Sequence, residues 1–298
     1  MKKLLLTTMM AAGLALSGQA AATPFYLDLS DDSVVNPRGA IDGLGLQYDS
    51  VSEVNTATGE IVSRGGIGLI GYTFNGSMAG FTDLSDLVLS DDGAIANTFT
   101  YDPEPNNLGV DGSTLPTVVV TALTFDFELD GILNPGGDSV TYTGGVLDIY
   151  SYQYSYDFFT PDVVTVDNGS AELLVQSEFS TSSINLGEQV IESLITEVSL
   201  TPAGQEVFYF QDSSGNFVSF QDYITATLTD ILLYASQTVT VGELADNIAN
   251  PIDSDGDTVL ISDNHAVTVE FRVPEPSTVA VLSLGLISMF GFSRRRRK

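Results

Sequence analysis

The sequence predicts an all-β protein, an antiparallel β-sandwich of jelly-roll type with an apolar helix at each end of the chain. Three observations carry this. Apolar and polar residues alternate with a period of two, as Leu123, Phe125, Phe127 and Leu129 do against Thr124, Asp126, Glu128 and Asp130, which puts one face in a core and one in water. Turn residues separate many short stretches of this kind, and no fixed repeat runs through them, which counts against a solenoid or propeller. An apolar run with a cationic flank stands near each terminus.

Taken in order, Lys2 and Lys3, the apolar run from Leu4 to Leu16 and the small residues Ala20, Ala21 and Ala22 form the three regions of a secretory signal peptide, residues 1–22, cut after Ala22, with Ala20 as the alternative site. Phe25 to Leu29 is a first short strand. Leu44 to Val54 and Glu60 to Ser63 form a hairpin around Asn55 to Gly59, and Ile67 to Phe74 reads as a further strand. Ala96 to Tyr101 is stopped by Asp102-Pro103-Glu104-Pro105. Thr117 to Asp130 carries the clearest alternation. Ser139 to Tyr142 and Val146 to Tyr156 follow, with Gly144-Gly145 between them as a hairpin signal.

Ser170 to Ser180, Val190 to Leu200, Glu206 to Gln211 and Phe217 to Tyr223 continue the series. Ile224, Ala226 and Leu228 alternate with Thr225, Thr227 and Thr229 and predict another half-buried strand. Thr240-Val241-Gly242-Glu243 has capping-box spacing and predicts one short helix. In the last strand, Ala266 to Val273, the residues Val267, Val269, Phe271 and Val273 face inward.

The domain between the two ends, residues 23–272, is long enough to bury its own core. The chain has no cysteine, so no disulfide staples it. Within these residues only Arg38, Arg64 and Arg272 are basic, and there is no lysine. Of the 39 acidic residues only Glu275 lies outside, which leaves 38 and a net charge of −35. Such a surface repels nucleic acid and anionic lipid and excludes them as partners of the domain.

Chemistry-bearing patterns are few. Tyr150, Tyr152, Tyr154 and Tyr156 share one face of a strand. They suit either sheet packing or a platform on which sugar rings stack. Asp253, Asp255 and Asp257 have the spacing of the first three ligands of a calcium loop, but Thr258 and Asn264 stand where such a loop needs glycine and glutamate. Calcium is therefore the one cofactor the sequence offers, against the reading of an acidic surface turn. His265 is the only histidine and has no nucleophile elbow to serve. Gly65-Gly66 and Gly136-Gly137 have turn character and lack a phosphate-loop pattern. The chain is not expected to be an enzyme.

The remaining residues, 273–298, form three parts: Val273-Pro274-Glu275-Pro276-Ser277, an apolar span at residues 278–292, and Arg294, Arg295, Arg296, Arg297 and Lys298. The prolines fix an extended backbone that neither helix nor strand crosses cleanly. The span is about 22 Å long as a helix, short against a hydrocarbon core of about 30 Å. The terminal cations stay cytoplasmic and leave the domain on the far side of the membrane. This tail resembles the PEP-CTERM sorting signal of Gram-negative bacteria.

The resemblance implies recognition by an exosortase, a membrane-embedded cysteine transpeptidase-like enzyme that cuts near the motif, with this chain as its substrate. Signal peptidase, the secretion machinery and the inner membrane are implied as earlier partners. The expected protein is a cell-surface or matrix component in exopolysaccharide, biofilm or floc, of the flocculation-associated kind. A carbohydrate-binding module built on the tyrosine row and a polysaccharide-active hydrolase are the alternatives.

Overall fold

The computed structural model describes residues 21–22, 24–29, 35, 37–72, 74, 81–88, 100–101, 110–111, 117–135, 140–157, 160–185, 190–212, 214–227, 231–238 and 243–273. Its strands are Ala21–Ala22 (β1), Phe25–Leu27 (β2), Arg38–Ile41 (β3), Leu44–Asn55 (β4), Glu60–Gly66 (β5), Thr100–Tyr101 (β6), Val110–Asp111 (β7) and Thr117–Leu133 (β8). The second half adds Val140–Asp157 (β9), Thr160–Asn185 (β10), Val190–Leu200 (β11), Phe208–Gln211 (β12), Phe217–Ser219 (β13), Leu232–Thr238 (β14), Asp253–Asp255 (β15) and Thr258–Val273 (β16). Among the described residues three short α-helices accompany them, Leu84–Val88 (α1), Phe220–Thr227 (α2) and Glu243–Ala249 (α3). The protein is mostly β and its sheets are antiparallel.

The larger sheet closes on itself. Pairing runs β4, β5, β8, β9, β10, β11, β14, β16, and β16 pairs again with β4 from Thr258↔Asn55 to Val269↔Leu44. A closed sheet leaves these strands without long free edges. Neighbours in the ring are also neighbours in sequence among its members, so the order is a meander and not the pair of Greek keys of a jelly roll. A second sheet of four strands, in the order β13-β12-β2-β3, packs onto the same core.

Alternation decides what fills the ring. Leu44, Leu46 and Tyr48 of β4, Leu123, Phe125 and Phe127 of β8, Leu147 and Ile149 of β9, and Val269 and Phe271 of β16 are buried in one cluster. Phe25, Phe208 and Phe210 of the smaller sheet and Phe220 of α2 join it. Further along the ring its lining becomes polar. There Ser52 and Ser63 share a hydrogen bond of 2.7 Å and Ser63 reaches the Tyr142 hydroxyl at 3.0 Å. The pairing satisfies groups that would be costly to bury alone.

Three local expectations are corrected. Ile67 to Phe74 is not a strand: Gly66, with φ +73, turns the chain off the ladder into a 3-10 turn at Ile67–Leu69. A side chain at Gly66 would meet the Phe125 carbonyl oxygen at 2.1 Å, so only glycine fits. Gly144-Gly145 is not a hairpin, because β9 runs straight through it with a register shift opposite Asp130 and Gly131. A Cβ on Gly145 would lie 2.3 Å from the Glu128 carbonyl oxygen, so the pair marks a bulge and a close strand approach.

Phe220 to Thr227 is a helix where Ile224, Ala226 and Leu228 suggested a strand. Ser219 Oγ accepts from the Asp222 N–H at 3.1 Å, as an N-cap does. Phe220, Tyr223 and Ile224, spaced for one helix face, pack on the core. The expected short helix is present as α3, and Leu244 and Ile248 pack against Val54, Ile61 and Ile261. The calls on residues 1–20, 96–99, 102–105, 136–139, 228–229, 240–242 and 274–298 lie outside the described residues.

Candidate functional site

The last strand delivers the chain to the sorting segment. Val269, Phe271 and Val273 are buried, as their spacing predicts. Phe271 is fully enclosed, 5.0 Å from the Phe25 ring centroid, 5.4 Å from Phe208 and 5.1 Å from Phe220, largely edge to face. Such pairs contribute beyond the area they bury. On one side Arg272 and Phe271 pair with Leu232 and Leu233 of β14. On the other, where β4 has ended, Ala21 pairs with Val273 and Ala22 with Arg272. The two ends of the domain therefore leave it as neighbouring strands. Pro274, Glu275, Pro276, Ser277 and the cationic residues Arg294 to Lys298 lie outside the described residues.

The tyrosine row lies on the outer face of β9, graded in burial. Tyr152 is fully buried among Leu84, Ala122 and Val166. Tyr150, Tyr154 and Tyr156 are half-buried. The rings of Tyr152 and Tyr154 stand 6.0 Å apart, and those of Tyr154 and Tyr156 stand 6.5 Å apart and nearly parallel. Burial raises the phenol pKa of Tyr154, and burial with the nearby Asp148 and Asp126 raises that of Tyr150.

Beside Tyr150 the sheet sets Asp126 and Asp148 directly opposite one another. Burial raises both carboxyls above their ordinary range. For Asp126 the charges of Asp148 and Glu128 add to this, opposed by the Gly68 N–H, which donates at 3.1 Å. One strand further on, Arg64 donates to Glu128 at 2.9 Å, lies 3.5 Å from Glu53, and sits 5.3 Å from the ring centroid of Tyr72. Burial and Glu53 push the Tyr72 phenol up to about 12. Sequence reading missed this group. Its signal was a single cation, Arg64, in a long acidic stretch, which meets Glu53 and Glu128 on the neighbouring strands.

Asp253, Asp255 and Asp257 fall on a tight hairpin between β15 and β16, with Asp255 opposite Thr258 and Gly256 at φ +61. The turn is held by its backbone: the Asp257 carbonyl accepts from the Thr56 N–H at 2.7 Å and from Thr56 Oγ1 at 2.9 Å. Among the described residues no three Asp, Glu or His side chains gather as a metal site would require, and this hairpin does not bring its carboxylates round one point. His265 stands opposite Tyr48 in the ladder.

These features describe an acidic, mostly β protein with antiparallel sheets. Residues 272–297 match the PEP-CTERM protein-sorting motif. The motif gives the chain an exosortase as its processing partner, an export route and a membrane-anchored C-terminus. No curated protein and no solved structure matches the chain. Among the described residues no helix is long and apolar enough to cross a membrane.

Proposed function

We propose that the protein is a non-enzymatic component of the cell surface or extracellular matrix of a Gram-negative bacterium, with a structural or adhesive role in exopolysaccharide, biofilm or floc. The observation that carries the reading is the position of the sorting motif directly on the final core strand. Val269, Phe271 and Val273 are buried in the core, so a cut beyond Val273 leaves this strand in place. We read the closed ring as a sandwich of two walls, because buried side chains from its strands meet in one core cluster. Its net negative charge keeps it soluble and lets divalent cations bridge it to acidic polymers, with no dedicated calcium site needed.

The test replaces Pro274, Glu275 and Pro276 together by alanine in the native host. The variant should accumulate as a membrane-bound precursor, and cell aggregation should fall as it does in a strain lacking the protein. Normal release and normal aggregation would sink the reading. The carbohydrate-binding alternative rests on the half-buried, stacked rings of Tyr154 and Tyr156. It requires that Tyr154→Ala and Tyr156→Ala reduce retention on purified exopolysaccharide while leaving the melting temperature nearly unchanged.

A further inference from the structure

The pairing of β1 with β16 brings together the two segments at which the chain is cut. Ala21 and Ala22, the last residues of the signal peptide, occupy the β4 side of Arg272 and Val273, and β14 occupies the other side of Arg272. Both edges of the strand that leads into the sorting motif are therefore taken at Arg272, and the β1 side is taken at Val273. Pro274 and Pro276 have no N–H, so the backbone donors nearest the motif on its N-terminal side are those of Val273 and Arg272. Enzymes that take an extended chain commonly add it as a strand along such an edge.

We propose that the N-terminal cut must precede the C-terminal one, because the uncut signal peptide covers the edge that the sorting enzyme engages. This rests on the sorting-signal reading and on cleavage after Ala22. The first step adds water across the Ala22–Thr23 bond, leaving a carboxylate on Ala22 and an ammonium on Thr23. Ala21 and Ala22 then belong to a separate peptide and are no longer tethered beside β16. In the second step an enzyme thiolate takes the acyl carbon at the motif. The C-terminal fragment leaves as an amine with the thiol's proton, and water or an acceptor amine then releases the thiol. Signal-peptide hydrolysis thus supplies the substrate of the second reaction.

The experiment uses full-length chains in an exosortase-bearing host, read by intact mass. The Ala20→Leu/Ala22→Leu variant removes the small residues that signal peptidase needs. It should keep its N-terminus and lose C-terminal cleavage by roughly tenfold, the scale of a displaced pair of ladder hydrogen bonds. The Ala20→Leu/Ala21→Pro/Ala22→Pro variant also keeps its signal peptide but cannot donate to β16, and its C-terminal cleavage should return. Unimpaired cleavage of the double variant overturns the proposal, as does a block that persists in the triple variant, since tethering to the membrane alone would then account for it. An uncut C-terminus in the wild-type chain would instead overturn the sorting-signal reading.

Discussion

Phe271 lies three residues before Pro274 and touches Phe25, Phe208 and Phe220, so it joins the ring, the smaller sheet and α2. Phe271→Ala is expected to cost about 3–5 kcal/mol, measured by denaturant unfolding of the mature protein. Gly66→Ala should also destabilise, because its backbone needs φ +73 and its Cβ would strike the Phe125 carbonyl. The sign at Asp126 and Asp148 is different. Their raised pKa values mean that the native state holds more protons than the unfolded chain between the ordinary carboxyl range and the raised one. Their contribution to stability is therefore present at low pH and is lost as pH rises through that window. Asp148→Asn should raise the melting temperature at pH 7 by about 1–2 °C, as relief of a cross-strand like-charge pair would. It should have little effect at pH well below the ordinary carboxylate range, where both carboxyls are protonated; a rise of equal size there would show that charge is not the cause.

At the scale of elements, strands were legible where the inward residues are uniformly apolar and the opposite residues polar in type. Leu123 to Leu129 read correctly on that ground, although Thr124 on the opposite face is buried too. The last strand was read from Ala266 and in fact begins at Thr258. Leu260 there packs outward against Val51, Leu69, Phe74 and Leu87, while Ile261 packs inward, so alternation vanishes. The helix at Phe220 was hidden by a chance alternation of threonines, which outweighed the Phe220, Tyr223, Ile224 spacing. The tyrosine row separates the same two roles. Tyr152→Ala should cost about 3–5 kcal/mol as a core truncation, and Tyr156→Ala less than about 1 kcal/mol. Equal losses in thermal unfolding would contradict the burial gradient.

At the scale of the molecule, a sheet closes on itself and the first and last described strands meet. Closure depends on β4 and β16, which are nearly the full domain apart in sequence, and pairing at such separation leaves no local mark. The C-terminal sorting motif was legible because it acts through short-range chemistry, with prolines that fix an extended backbone ahead of an apolar span and a cationic end. The juxtaposition of Ala21 and Ala22 with Val273 and Arg272 was not. The most direct measurement is the intact mass of the protein from the membrane and medium of hosts with and without the exosortase. With the enzyme, the mass should lack residues 1–22 and the cationic end from Arg294 to Lys298; without it, only the N-terminal segment should be missing. A chain that keeps Arg294 to Lys298 in the presence of the enzyme would contradict the account.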